Sequence, residues 1–162
     1  MIVLVFCGCS NSVSTTPQEV AEKYKQDFSS SVIAVFGDNR AEMGASKNGM
    51  SISVSVNSPA ELSEMGIEIF DEHAKIIYEG MEQEIKKDSL PEGTPFLLLE
   101  ELFDELSDLD EFTLSTENEN IIAKGEGFSA ALSPENFSRV SAKFPLFETE
   151  FTFSDFVFKS AE

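Results

Sequence analysis

The sequence has few basic residues, one histidine, two cysteines and no tryptophan. Eleven Lys and Arg residues stand against 30 Asp and Glu residues, which leaves a formal net charge of -19 at pH 7. Binding to a phosphate backbone requires clustered Lys and Arg that release counterions, so the composition argues against a nucleic-acid partner. The chain also lacks any run of about 18 consecutive apolar residues, and it therefore predicts no membrane-spanning helix.

The scarcity of cysteine and histidine limits metal binding and cross-linking. Cys7 and Cys9 are the only cysteines, and the single histidine, His73, lies far from them in sequence. Two cysteines separated by one residue are too close for an ordinary disulfide, and a structural zinc site needs four ligands. We therefore expect no metal, no cofactor and no disulfide framework.

The N-terminus carries an apolar segment, residues 1–6, followed by Cys7-Gly8-Cys9 and by the polar, uncharged stretch 10–16. Phe6-Cys7-Gly8-Cys9 resembles the lipobox of bacterial lipoproteins. The resemblance implies that Cys9 is lipidated, that residues 1–9 are a residual signal segment, and that residues 10–16 are a polar tether. It implies a lipid-anchored protein of the bacterial cell envelope that faces the periplasm or the exterior. An unprocessed apolar terminus is the alternative interpretation.

Residues 17–162 are predicted to form a single α+β domain, because 162 residues with 41% hydrophobic content suit one core. Four Ser-Pro or Thr-Pro pairs indicate helix starts, since the hydroxyl caps the first turn and proline suits the first helical position. The pairs begin at Thr16, Ser58, Thr94 and Ser133, and the first two also complete capping boxes. Short helices are expected from Pro17 to about Phe28 and from Pro134 to about Ala142.

The longest predicted helix runs from Pro59 to about Lys87. Apolar residues in it recur every three or four positions, as on an amphipathic face, and they include Leu62, Met65, Ile69, Phe70, Ala74, Ile77, Met81 and Ile85. Another helix, Pro95 to about Leu106, is expected to point its acidic residues outward.

Strands are predicted between these helices. Met50 to Val56 alternates apolar residues with serine, and residues 32–36 form an apolar run that we expect to pair with it. Residues 111–132 resemble a meander, and the phenylalanines of 144–159 change parity, which requires a bulge near Ser154-Asp155. The predicted fold class is therefore α+β, a mostly antiparallel sheet packed against a long amphipathic helix and a second acidic helix.

Acidic residues concentrate between residues 60 and 111, where 17 of the 30 acids and three lysines give a local balance of -14. Helices with acidic, solvated faces are one interpretation. The other is a docking surface for a basic protein partner, because such a field attracts cations. We assign that surface to four acids of the helix that begins at Pro95: Glu100, Glu101, Asp104 and Glu105.

No segment carries a complete catalytic or metal-binding motif. His73 has no partners indicated in sequence, 127–131 lacks the final glycine of a nucleophile elbow, and 108–119 lacks the glycine of a calcium loop. We therefore assign no catalytic and no metal-binding residues. The predicted function is a small acidic envelope lipoprotein of non-catalytic binding or structural type. The alternatives are a carrier of a small apolar ligand in a Phe-lined pocket, or a small hydrolase.

Overall fold

The computed structural model describes residues 15–159. This part of the chain contains two α-helices and 11 strands, which join in one antiparallel sheet. The helices are α1 (Pro17–Tyr24) and α2 (Pro95–Ser107). The strands are β1 (Phe28–Phe36), β2 (Asn39–Asn48), β3 (Ser51–Ser58), β4 (Met65–Phe70), β5 (His73–Tyr78), β6 (Met81–Lys86), β7 (Thr113–Glu117), β8 (Asn120–Lys124), β9 (Ser129–Leu132), β10 (Arg139–Phe144) and β11 (Thr149–Phe158). None of the described helices has the length and apolar character needed to cross a bilayer.

The order of the strands follows two meanders that meet in the middle of the sheet. The sheet order is β6-β5-β4-β3-β2-β1-β11-β10-β9-β8-β7. The chain moves outward from β1 to β6, passes through α2 to the opposite edge, and returns from β7 to β11. The last strand consequently pairs with the first, and Val32 lies opposite Phe153 at this central pairing.

One face of the sheet is buried against the helices. On β3 the apolar residues Ile52, Val54 and Val56 are buried while the intervening serines lie on the other face. The ring of Phe28 on β1 contacts that of Phe103 on α2, with 4.5 Å between their centres. The alternation predicted for this strand is therefore confirmed, and it identifies the face that carries the core.

Local capping signals explain where both helices begin. Thr16 and Glu19 form the predicted capping box, in which the Thr16 hydroxyl accepts from the Glu19 amide and the Glu19 carboxylate accepts from the Thr16 amide. The Thr94-Pro95 pair begins α2 as predicted. Ser58-Pro59 precedes only a short 3₁₀ turn, and Ser133-Pro134 leads through a loop to β10. The helix predicted for residues 134–142 is therefore wrong.

The predicted fold class is also wrong, because the described residues contain no long amphipathic helix. Residues 65–86 form β4, β5 and β6, joined by tight turns at Asp71-Glu72 and Glu79-Gly80. Asp71, Glu79 and Gly80 adopt positive φ, a conformation that helices exclude. A large antiparallel sheet with two short helices replaces the predicted α+β arrangement.

Two further expectations concern strand pairing. Residues 32–36 do not pair with the Met50 strand, because β2 lies between β1 and β3 and turns at Gly37 and Gly49 connect the three. The bulge predicted near Ser154-Asp155 is confirmed. The β1–β11 register shifts between Ser29 and Ser31, and Asp155 has a φ of 53°.

Candidate binding site

An aromatic cluster forms where β1 and β11 meet the two helices. We define this aromatic cluster by its six members, Tyr24, Phe28, Phe103, Phe153, Phe156 and Phe158. Phe28 and Phe156 stack with 5.0 Å between ring centres, and Tyr24 meets the edge of Phe158 at 5.4 Å. The bulge of β11 makes this possible, because it brings Phe156 and Phe158 to the face that already carries Phe153.

Arg139, the first residue of β10, lies inside the aromatic cluster with 2% of its surface exposed. Its guanidinium carbon is 4.5 Å from the ring centre of Phe103 and 4.9 Å from those of Tyr24 and Phe153. Among the described residues, the Nε, Nη1 and Nη2 atoms of Arg139 have no hydrogen-bond partner. The core thus holds a cation that lies close to the Tyr24 hydroxyl but, within the described part of the chain, has no well-formed hydrogen bond at any of its three nitrogens.

Burying this cation without acceptors is unfavourable. Contacts with aromatic faces return about 0.5 to 2 kcal/mol each, whereas a buried charge that lacks hydrogen bonds costs several kcal/mol. Burial lowers the pKa of Arg139 and the nearby Tyr24 raises it, but arginine stays protonated in proteins. Burial likewise raises the pKa of Tyr24, and Arg139 opposes that change. The site therefore keeps an uncompensated positive charge.

Three contacts fasten the C-terminal end of α1 over the aromatic cluster. The Tyr24 hydroxyl donates to the Phe137 carbonyl at 2.8 Å, and Lys47 Nζ donates to the Tyr24 carbonyl at 2.8 Å. Lys23 lies over the ring of Phe158, 4.8 Å from its centre. Two lysines and Arg139 thus converge on one end of α1 in a chain whose net charge is -19.

The four acids predicted to bind a partner all lie on α2, but the structure does not give them a common exposed face. Glu100 is buried and pairs with Lys87, whereas Asp104 is exposed and Glu101 and Glu105 are half-buried. Burial raises the pKa of Glu100, and Lys87 opposes that change. Glu100 therefore has a structural partner inside the protein.

Glu105 lies in a group of carboxylates contributed by α2 and the neighbouring loops. Burial, together with Glu101, Glu111 and Glu126, raises the pKa of Glu105 to about 7. Its Oε2 atom is buried without a hydrogen-bond partner among residues 15–159. The surrounding carboxylates therefore repel the negative charge of Glu105 when it is ionised.

The remaining sequence candidates do not assemble into a site. His73 is exposed on β5 and stacks beside Phe70, with 5.9 Å between ring centres. Within the described residues, no group of three or more His, Cys, Asp or Glu side chains is arranged to hold a metal ion. Cys9 lies outside the described residues. Phe112, in the segment weighed as a calcium loop, is a buried core residue.

Sequence reasoning did not identify Arg139. Its segment was predicted to be helical, and its aromatic neighbours come from α1, α2 and β11, which are distant in sequence. The available signal was composition alone, since Arg40 and Arg139 are the only arginines in the chain.

No protein-family model matches the sequence, and no curated protein matches it. Solved structures do resemble the fold. An uncharacterized conserved protein from Thermus thermophilus superposes with a TM-score of 0.57 over 88% of this chain and 85% of that chain, at 7% identity. This level of identity shows a shared fold and nothing more.

Two further structures are similar at lower TM-scores. The LolA superfamily protein NE2245 from Nitrosomonas europaea has a TM-score of 0.44 at 10% identity, covering 92% of this chain and 96% of that chain. A chain of the Pseudomonas aeruginosa MucA/MucB complex has a TM-score of 0.48 at 12% identity, covering 88% of this chain and 56% of that chain. Nothing about this chain follows from similarities at these scores.

Proposed function

We propose that this chain is a non-catalytic binding protein of the bacterial cell envelope that carries a small apolar or amphiphilic ligand. The ligand lies among the rings of the aromatic cluster, between the helices and the sheet. The observation that carries the proposal is Arg139, a buried cation surrounded by aromatic rings, whose nitrogens have no well-formed hydrogen bond among the described residues. Ligand-binding sites are concave, with a largely apolar lining and a few convergent polar groups. The aromatic cluster and Arg139 supply such a lining once α1 moves away.

Access to this site requires α1 to move away from the sheet. The helix has eight residues, and isolated helices of this length are unstable in water, so packing and the contacts of Tyr24, Lys23 and Lys47 hold it in place. A ligand that replaces the apolar contacts of α1 and supplies an acceptor to Arg139 compensates for its displacement. The helix then acts as a cover over the site.

The experiment that tests this proposal uses 1-N-phenylnaphthylamine, a neutral dye whose emission increases in apolar surroundings. We expect the purified chain to bind the dye and Phe156→Ala to weaken binding, because Phe156 is half-buried within the aromatic cluster. Phe70→Ala is the matched control, since Phe70 is also half-buried but lies on the other face of the sheet. An equal effect of both variants, or no binding at all, contradicts a carrier role.

A second candidate function is docking of a basic protein partner on α2. The specific observation is the raised pKa of Glu105 among Glu101, Glu111 and Glu126, because a cationic partner would relieve their mutual repulsion. Capture from the native envelope is expected to weaken in the triple variant Glu101→Lys, Asp104→Lys and Glu105→Lys. Reversal of the exposed acids Glu61, Glu82 and Glu84 is the control. Equal capture by both triple variants excludes this surface.

The envelope location rests on the lipobox-like sequence, and we propose lipidation of Cys9. Expression in a bacterium, followed by the intact mass of the detergent-soluble fraction, is expected to show acyl chains on the wild type and none on Cys9→Ser. Cys7→Ser provides the control, because Cys7 precedes the modified residue in the lipobox. An unmodified product that retains Met1 contradicts lipidation.

A further inference from the structure

We infer that Arg139 binds the acidic head group of the ligand, which is an amphiphile with a carboxylate or phosphate at one end of an apolar chain. This inference rests on the proposed carrier function and specifies its ligand. The aromatic cluster receives the apolar chain, and the guanidinium receives the oxyanion.

The geometry of the guanidinium selects for an oxyanion. Arginine presents five N–H donors in one plane, and a carboxylate or phosphate accepts two of them side by side. Ring faces lie against the guanidinium from Tyr24, Phe103 and Phe153, but a ring face offers no lone pair to the in-plane donors. The Tyr24 hydroxyl donates to the Phe137 carbonyl, and its single oxygen lies near the guanidinium. One hydroxyl oxygen cannot satisfy five in-plane donors, so a two-oxygen acceptor is still lacking among the described residues.

The local charge also favours an acidic head group over a basic one. Lys23 and Lys47 lie at the same end of α1 as Arg139, and each holds its position through a contact with an aromatic ring or a carbonyl. Asp27, between α1 and β1, and Asp104, on α2, both act on Lys47, but neither makes a hydrogen bond to Arg139. A cationic head group would meet an uncompensated guanidinium, whereas a neutral one would leave its charge unpaired.

The test compares four twelve-carbon ligands that differ only in head group: dodecanoate, dodecyl phosphate, dodecanol and dodecylammonium. Each is used below its micellar concentration to displace 1-N-phenylnaphthylamine from the purified chain. We expect the two anions to bind about tenfold or more tightly than dodecanol, because a charge-assisted pair with arginine contributes at least that factor. Dodecylammonium is expected to bind more weakly than dodecanol. Whichever of the two anions binds more tightly indicates whether the ligand carries a carboxylate or a phosphate.

The variant Arg139→Met retains the length of the side chain and removes its charge. We expect it to lose the preference for the anions over dodecanol, while Arg40→Met, at the exposed arginine, keeps that preference. The preference is expected to survive raised salt, since a buried pair is weakly screened. Arg139→Lys, which keeps the charge but not the planar fork, is expected to show an intermediate preference, and it serves if Arg139→Met does not fold.

The outcomes separate this inference from the proposed function. If all four ligands bind equally, or if Arg139→Met keeps the anion preference, Arg139 is not the head-group receptor and the carrier function stands without it. If none of the four ligands displaces the dye and the dye itself does not bind, the carrier function fails, and the inference fails with it.

Discussion

The guanidinium carbon of Arg139 lies 4.5 Å from the centre of the Phe103 ring, so that a cation of β10 is held directly against α2. The same guanidinium is 5.9 Å from the centre of the Phe156 ring, on the far side of the bulge in β11. Sheet and helix therefore meet around a charge rather than around a purely apolar contact. A buried charge without well-formed hydrogen bonds lowers stability, and a variant at Arg139 measures that cost.

The first prediction concerns that cost. We expect Arg139→Met to raise the free energy of unfolding by about 1 to 3 kcal/mol, because the variant removes a buried charge without acceptors and keeps most of the apolar contact. Urea denaturation measures the change, and Arg40→Met is expected to stay within about 0.5 kcal/mol because Arg40 is exposed. A loss of stability in Arg139→Met would show that the aromatic rings fully compensate the guanidinium.

The second prediction concerns pH. The pKa of Glu105 is about 7 in the folded chain, above its ordinary value of 4.5, so the folded state binds this proton more tightly than the unfolded state does. The free energy of unfolding is therefore expected to fall as the pH rises from about 4.5 to about 7. Solvent screening of this half-buried side chain limits the contribution to about 1 kcal/mol.

Urea denaturation of Glu105→Gln at about pH 5 and about pH 8 measures this effect. The variant is expected to lose part of the pH dependence and to keep the part that Glu100 and Glu101 contribute, since burial raises the pKa of both. Glu135→Gln, at an exposed position outside the carboxylate group, is the control and is expected to behave as the wild type. If the pH dependence of stability is unchanged in Glu105→Gln, the pKa of Glu105 is not raised in the folded chain.

The third prediction concerns the ion pair between Lys87 and Glu100. Lys87→Met is expected to lower the free energy of unfolding by about 1 to 3 kcal/mol, because it leaves the buried Glu100 carboxylate without its cation. Lys25→Met breaks the exposed pair with Glu22 and is expected to cost less than about 0.5 kcal/mol. Equal losses would mean that Glu100 is effectively solvated.

The elements that the sequence predicts correctly are those determined by interactions between residues close together in the chain. The start of α1 follows from the contact between Thr16 and Glu19, three residues apart, and β3 follows from strict alternation. The bulge of β11 follows from the parity of its phenylalanines. Each of these signals acts over a few residues, so tertiary contacts do not reverse it.

Residues 65–86 show where local patterns are ambiguous. Ile69, Ile77 and Ile85 fit a helical stripe, yet the structure separates them: Ile69 is buried, whereas Ile77 is half-buried on the opposite face of the sheet. The alternation of Met65, Ile67 and Ile69 and the Glu79-Gly80 turn supported strands. The helix prediction rested instead on the helical stripe and on the capping motif at Ser58, which begins only one short turn.

The candidate site depends on contacts that no local pattern contains. The acids of α2 were placed on the correct helix, but the burial of Glu100 depends on Lys87, which belongs to the preceding segment. Arg139 reaches its surroundings only after β10 and β11 pair and both helices cover the sheet. Sequence periodicity identifies which residues face the core, but it does not show which charged side chain is buried in that core.

The last prediction concerns the loop before α2, which Gly93 anchors against Phe147. Gly93 has a φ of 74°, and a Cβ at this position would overlap the Phe147 ring. Gly80 has nearly the same backbone, with a φ of 75°, but has no heavy atom within 4 Å of the position of a Cβ. Alanine variants at the two positions therefore distinguish the cost of backbone strain, which both share, from the cost of steric overlap, which only Gly93 incurs.

We expect Gly80→Ala to lower the free energy of unfolding by about 1 kcal/mol, the cost of an alanine in the left-handed region. Gly93→Ala is expected to lower the free energy of unfolding by about 1 to 3 kcal/mol more, because the added methyl group must displace the Phe147 ring from its contact with Gly93. Phe147→Ala in the Gly93→Ala background removes the overlap and is expected to abolish this additional loss relative to Phe147→Ala alone. Equal destabilisation by Gly80→Ala and Gly93→Ala would show that the Phe147 ring moves aside without cost and does not fix the loop that leads into α2.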